Sequence, residues 1–419
     1  YPRFERSPCP DTVPALEHAR CGFLVVPENR TEPGGRAQRN IVAIVPAVSK
    51  TPAPSPVVYL TGGPGGIALL EAPRLIEAGL NREHVLILMN QRGTFETVPE
   101  LTCPGIDEFN ARAVGRRLDS DATRRDHVAA TAACRRHLVS KGADLGAYNT
   151  LENAADFADL RRVLGYDNYN LYGVSYGTDL ALTILRRHPR GIRSVVLDSA
   201  VPPQRAGPPE FWPNARDGFR NLFEACRAQG SCNARFPRLE QTFAELVRRL
   251  EADPVAVTIT DPQTNAPRRV VLDGGALVNA LVAVSFYTPL FRDVPRWITN
   301  LAAGDATDFA AFRAASVPPP GFVGYGLTFG VFCAEQTPFS SPHDVLVRGR
   351  QSFPNYPASV LAEAPQFTFV YDDCRVWNVP SLPAMRHATP SDIPTLVLSG
   401  SFDSVTAFRW AKAAAEKLT

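Results

Sequence analysis

The stretch Leu171-Tyr172-Gly173-Val174-Ser175-Tyr176-Gly177 decides how the rest of the chain reads. It has the pattern G-x-S-x-G, follows a short apolar run from Tyr169 to Tyr172, and precedes a helix-like run from Thr178 to Arg187. Strand, sharp turn and helix are the context in which this pattern presents a serine. A serine hydroxyl is a weak nucleophile at neutral pH, so a reactive one must stand exposed where a base can reach it. Glycines at 173 and 177 let the backbone bend tightly and let the helix pack close to the strand. The plainer reading, an ordinary serine in a glycine-bracketed turn, accounts for neither flank.

Outward from this turn, strands and helices alternate. Phe23–Val26 and Ile41–Val45 are β-branched runs separated by Pro33-Gly34-Gly35, which predicts an antiparallel hairpin. Val57–Leu60 and Val85–Met89 are continuous apolar runs of the kind found in strands buried on both faces, with a helix expected between them over 68–78. Leu151–Leu164 carries apolar residues at helical spacing and stops at Gly165, and Ser194–Asp198 gives the next strand. Such alternation predicts a mostly parallel, doubly wound sheet. Residues 1–22 read as irregular, and 99–149 as weakly patterned with a helix over 123–140. From Val201 the character changes to proline-rich seams and helices (214–228, 239–252, 274–284) with a small hairpin near 255–271. Strand and helix resume at Ile393–Gly400 and Ala407–Leu418. The expected layout is an α/β core over 1–200, a mainly helical cap over 201–388, and the rest of the core over 389–419.

Composition narrows the function classes. The chain has 419 residues, 45% hydrophobic and 21% charged, with a net charge of +2, which gives no broad footprint for nucleic acid or an anionic membrane. No run approaches the roughly 18 apolar residues of a membrane span. Eight cysteines without a C-x-x-C pair or a nearby histidine cluster argue for disulfides rather than zinc. Neighbours in sequence suggest Cys9–Cys21, Cys103–Cys134, Cys226–Cys232 and Cys333–Cys374, and disulfides imply an oxidising, exported setting. Tyr1-Pro2-Arg3 is not a signal peptide and is how a mature or trimmed chain would open.

Acyl transfer by a serine needs a nucleophile, a base, an acid that orients the base, and donors for the oxyanion. Ser175 is the candidate nucleophile. The N–H of Tyr176 is one candidate donor, and Gly63 in Thr61-Gly62-Gly63-Pro64-Gly65-Gly66 the other, since Pro64 has no N–H. A phosphate loop would need the Lys-Ser/Thr tail that is absent here. Asp403 lies just past a late strand and is the candidate acid; Asp198 competes but reads better as a structural carboxylate. The base is the difficulty, because His18, His84, His127, His137, His188, His343 and His387 all precede Asp403. The sheet pattern also ends one strand early. The expectation is a chain that stops short of its last strand and histidine loop, so that these 419 residues alone would be nearly inert; the rival is a protein that is not a triad enzyme.

Taken together, Gly62-Gly63-Pro64-Gly65-Gly66, Gln91-Arg92-Gly93-Thr94, Gly173-Val174-Ser175-Tyr176-Gly177-Thr178, Leu197-Asp198 and Leu398-Ser399-Gly400 to Asp403 resemble the proline iminopeptidase and tripeptidyl aminopeptidase branch of the α/β-hydrolases, in its secreted actinobacterial form. The resemblance spans nearly the whole chain. It implies the α/β-hydrolase fold with a helical cap, Ser175 as nucleophile, Asp403 as acid, Gly63 and Tyr176 as oxyanion donors, and a histidine shortly after Thr419. It also implies that a cap carboxylate binds the substrate's free amine, for which Glu335 in Cys333-Ala334-Glu335-Gln336 is the candidate by pattern. Asn90 and Phe95 depart from the family's usual Asp and Gly around Gln91–Thr94. The expected function is removal of residues or short peptides from substrate N-termini, without metal or cofactor. An esterase or lipase with the same machinery, or an inactive binding protein of the same fold, are the rivals.

Overall fold

The computed structural model describes residues 2–32, 34–261 and 264–418; Tyr1, Pro33, Pro262, Gln263 and Thr419, and with them parts of the two expected turns, lie outside that description. Strands β1 (Arg3–Ser7), β2 (Arg20–Pro27) and β3 (Ala37–Val45) come first, followed by β4 (Val57–Leu60), α1 (Ala72–Glu77) and β5 (Leu86–Met89). Helices α2 (Pro104–Ala113), α3 (Asp121–Ser140) and α4 (Thr150–Leu164) lead to β6 (Tyr169–Val174), α5 (Tyr176–Arg187) and β7 (Ile192–Asp198). An insertion then contributes α6 (Phe211–Ala228), α7 (Gly230–Arg235), α8 (Leu239–Ala252), the hairpin of β8 (Val255–Thr260) and β9 (Pro267–Leu272), α9 (Gly274–Val284), α10 (Val294–Ala302) and α11 (Thr307–Ala315). It continues with α12 (Tyr325–Val331), a π-helical turn over Phe332–Gln336, α13 (Pro342–Ser352), α14 (Ala358–Leu361) and α15 (Val370–Trp377), before β10 (Thr395–Leu398) and α16 (Phe408–Ala415) close the described chain.

Eight strands form one sheet in the order β1-β2-β3-β5-β4-β6-β7-β10. The pairs from β1 to β5 are antiparallel, and β5, β4, β6, β7 and β10 run parallel. Strand β5 is buried throughout and β4 nearly so, as expected of central parallel strands covered on both faces. In register, Leu60, Gly173, Leu197 and Val397 form one row across the parallel strands. The loops that follow β4, β6, β7 and β10 therefore all open on the same edge. On the outermost strand Leu396 and Leu398 are 56% and 39% exposed.

The first strand corrects the sequence reading of 1–22 as irregular. Arg3-Phe4-Glu5-Arg6-Ser7 has one large apolar residue and no alternation, yet it pairs along its length with β2. Its charges suit an edge strand, where Glu5 meets both Arg3 and Arg39. The 68–78 stretch is a 3₁₀ turn followed by the short α1, and α5 starts two residues before the expected boundary. Helix α4 is bounded as its sequence suggests: the Asn149 side chain accepts from the Glu152 N–H, and Gly165 takes the left-handed conformation at its end. The insertion has its own apolar core around Trp212, Phe219, Phe243, Leu277, Ile298 and Phe309, separate from the sheet core around Val42, Val58, Ile87, Leu171 and Leu180. All four expected cysteine pairs are disulfides.

A buried charge network fastens α4 to the sheet. The fully buried Arg92, just after β5, donates Nε and Nη2 to the two Asp156 oxygens (2.9 and 2.8 Å) and Nη1 to the carbonyls of Glu28 and Ala147. Asp156 accepts further from Arg30 (2.8 Å) and Asn40 (3.1 Å). Burial alone would push the Asp156 carboxyl up; the charges of Arg92 and Arg30 and their hydrogen bonds overcome it and hold it below the ordinary aspartate range. Its share of stability is therefore present above the unfolded carboxylate range and is lost as pH falls. Asp156→Ala removes the bidentate partner of the buried Arg92 and leaves it only the Glu152 carboxylate at 3.4 Å, and urea unfolding at neutral pH should show a loss of about 3–5 kcal/mol; a loss under about 1 kcal/mol would show that Glu152 or water takes over the guanidinium.

Candidate active site

Ser175 follows β6 directly and sits at φ 55°, ψ −125°, a conformation that costs a side-chain-bearing residue about 1–3 kcal/mol. Its neighbours hold it there. The Ser175 N–H donates to the Asp198 carbonyl (3.0 Å), and its own carbonyl accepts from the N–H and Oγ1 of Thr178 (2.8 and 2.6 Å). A Cβ on Gly173 would fall 2.4 Å from the Gly177 carbonyl oxygen, and one on Gly177 would fall 1.9 Å from that of Leu60. Only glycine permits this approach of α5 to the end of β4.

The glycine loop after β4 lies against the serine. A Cβ on Gly62 would meet the Ser175 Cβ at 2.9 Å and its Oγ at 3.4 Å. Gly63 adopts φ 120°, and the Gly66 N–H donates to the Gly62 carbonyl (3.3 Å). Tyr176 is the first residue of α5, so its N–H has no acceptor within the helix and is free for a charge developing beside Ser175. Gln91 Nε2 bonds the Thr61 carbonyl (2.9 Å), tying the loop after β5 to the glycine loop. At the departure noted in the sequence, Asn90 Oδ1 accepts from the Leu69 N–H (3.0 Å) and Nδ2 donates to the Phe95 carbonyl (2.7 Å). An ionised aspartate could not make the second bond.

Asp403 lies on the loop after β10. One oxygen accepts from the N–H groups of Val405 and Thr406 (both 2.8 Å), and the other from Thr406 Oγ1 (2.5 Å). Helix α6 clamps this loop through Asn214 Nδ2 on the Val405 carbonyl (2.7 Å), and Ser285 at the end of α9 accepts from the Ser404 N–H (3.1 Å). Asp198, the competitor, accepts from Tyr172 Oη (3.0 Å). The sequence reading missed three contributors. Thr406 was signalled by a local pattern, an aspartate bonding the backbone two and three residues on. Gly324 and Thr328 were not signalled, because the insertion delivers them: the Gly324 N–H donates to the Gly65 carbonyl (2.9 Å) and Thr328 Oγ1 to that of Pro64 (2.7 Å).

Glu335 does not stand open to solvent. It is 3% exposed, and its two oxygens accept from the N–H and the hydroxyl of Thr150, both at 2.7 Å. Burial, and then the nearby charge of Asp179, pushes its carboxyl up to about 8. Asp179, in the first turn of α5, is pushed up to about 7 by burial against the opposing pull of Arg186 and Arg386. Among the described residues none of the seven histidines bonds to Ser175 or Asp403. His84 meets the Ser55 carbonyl (2.7 Å) before β4 begins, at the opposite end of the sheet, and His127 pairs with Asp373 (2.9 Å) between α3 and α15.

A strained serine at a strand-to-helix turn, a glycine loop against it and a carboxylate loop on the same edge of a mostly parallel sheet define an α/β hydrolase scaffold. The chain belongs to that family, whose model, described as the alpha/beta hydrolase fold, matches residues 55–407. Serine protease Hip1 of Mycobacterium tuberculosis is 24% identical, with 97% of this chain and 81% of that protein aligned. Tripeptidyl aminopeptidase of Streptomyces lividans is 28% identical over 44% of this chain and 36% of its own length. A solved thermophilic esterase from Thermogutta terrifontis aligns at 15% identity over 94% of this chain and 86% of that one, with a TM-score of 0.34.

Two outcomes follow from this geometry. Gly62→Ala should slow modification of Ser175 by a fluorophosphonate about 100-fold, since the loop must move off the Ser175 side chain; an unchanged labelling rate would place the loop out of play. Because the folded-state carboxyl of Asp179 is raised, wild-type stability falls as pH climbs from the unfolded value near ~4 toward about 7. Thermal melts should therefore show Asp179→Asn gaining on wild type across that window and levelling off above it.

Proposed function

We propose that this protein is an exported serine hydrolase that removes residues or short peptides from substrate N-termini through an acyl-enzyme. The observation that carries the reading is Ser175 at positive φ, one residue past β6, on the sheet edge that also bears the glycine loop and Asp403. The two peptidase relatives support peptide over ester as the substrate. The four disulfides support an oxidising, extracellular setting, and no described helix is long and apolar enough to cross a membrane.

In this mechanism Ser175 Oγ attacks the scissile carbonyl while a histidine takes its proton. The N–H groups of Gly63 and Tyr176 hold the resulting oxyanion. The histidine then gives its proton to the leaving amine, and water repeats the sequence on the acyl-enzyme. Asp403 orients the histidine, with Thr406 and two backbone N–H groups fixing the carboxylate. We take the base to be a histidine other than His84 and His127, whose rings are held by the Ser55 carbonyl and by Asp373, away from Ser175 and Asp403.

The test sets the full-length protein beside its Ser175→Ala variant. The wild type should label with a fluorophosphonate and turn over aminoacyl anilides with a higher kcat/KM than simple nitrophenyl esters, and Ser175→Ala should do neither. Faster turnover of simple esters would overturn the peptidase reading, and labelling that survives Ser175→Ala would overturn Ser175 as the nucleophile.

A further inference from the structure

We propose that Glu335 is a positioning residue for the oxyanion donor Tyr176, acting through Thr150, rather than a contact for the substrate. This deepens the hydrolase reading and rests on it. The chain of contacts is continuous. Both Glu335 oxygens engage Thr150, the first residue of α4, at 2.7 Å. Thr150 Oγ1 lies 2.9 Å from Tyr176 Oη, and Asn153 Nδ2, one turn further along α4, donates to the same phenol at 3.3 Å. Tyr176 is 2% exposed, and Thr150 and Asn153 are fully buried. Its side chain is thus gripped from α4 while its main chain forms the first turn of α5 beside Ser175.

The far end of the chain is anchored as well. Glu335 belongs to the π-helical turn Phe332–Gln336, an irregularity often found at functional sites. The disulfide Cys333–Cys374 fastens that turn to α15. Holding the phenol from α4 fixes the position of the first turn of α5, and oxyanion stabilisation depends steeply on where the N–H of that turn points. A substrate ammonium, by contrast, would have to reach a carboxyl that is only 3% exposed and already engaged at both oxygens by Thr150. Asp179 and Tyr176 on α5 face the same carboxyl, with Arg186 of α5 and Arg386 of the segment before β10 contributing the opposing charges.

The experiment compares Glu335→Ala, Glu335→Gln, Thr150→Val and wild type in the full encoded protein. Three quantities are read: kcat and KM on a peptide anilide with a free amine, the same on an N-acylated ester, and the fluorophosphonate labelling rate of Ser175. Glutamine matches the shape of glutamate and can both accept from the Thr150 N–H and bond its hydroxyl. Expected are falls in kcat of about 10–100-fold for Glu335→Ala and Thr150→Val on both substrates, with KM within about twofold. Labelling should slow in parallel, and Glu335→Gln should recover to within about threefold of wild type. Leu301→Ala, in the core of the insertion, serves as a control that lowers the melting temperature without touching this chain and should leave kcat per titrated site unchanged. A rise in KM confined to the free-amine substrate, with labelling unchanged, would overturn the proposal and make Glu335 an amine anchor. Wild-type rates in Glu335→Ala or in Thr150→Val would overturn it too, and Thr150→Val keeps the test open should Glu335→Ala not fold. If wild type itself shows no Ser175-dependent labelling, the hydrolase reading falls, and the positioning role with it.

Discussion

The site depends on how closely the start of α5 approaches the end of β4. Gly177 lies where any Cβ would strike the Leu60 carbonyl, and Leu60 is the last residue before the glycine loop. One contact therefore sets two things: the turn on which Ser175 stands and the path the chain takes to Gly62 and Gly63. The positive φ of Ser175 is a local cost, and it is held by the Asp198 carbonyl on one side and the Thr178 side chain on the other. Ser175, the glycine loop and the neighbouring strand β7 are thus fixed by the same few ångströms of backbone.

Around this contact the protein treats buried charge in two ways. Arg92 and Asp156 are matched, with a bidentate pair, further donors on the carboxylate and backbone carbonyls on the guanidinium, so both stay ionised. They fix the loop after β5, which in turn holds the glycine loop through Gln91. Asp179 and Glu335 are not matched: Arg186 and Arg386 act on Asp179 without a direct ion pair to it, and one Asp179 oxygen has no hydrogen-bond partner. Both carboxyls are accordingly pushed toward the neutral form. The first arrangement gives rigidity; the second costs stability near neutral pH, beside the first turn of α5.

Much of the fold was legible because parallel strands buried on both faces leave continuous apolar runs, as at Val57–Leu60 and Leu86–Met89, and because glycines mark close approaches. The strand Arg3–Ser7 was not legible: its pairing comes from the exposed edge of β2, while its own residues carry charge rather than alternation. Asn90 looked like a departure from a pattern, and its two-sided hydrogen bonding shows why an amide serves there. Glu335 was legible as a carboxylate of interest but not in its contacts, since its partner Thr150 lies 185 positions away in sequence.

The sequence by itself determined the α/β framework, the serine turn, the glycine loop and the helical character of the insertion. Each rests on local periodicity, on backbone freedom or on spacing, and these are written in neighbouring residues. Only the tertiary structure decided which face Glu335 meets, that Thr328 and Gly324 of the insertion brace the glycine loop, and that Arg92 and Asp156 find each other. Those outcomes belong to contacts between segments far apart in the chain, where packing of whole elements, not local propensity, sets which side chains share a buried space.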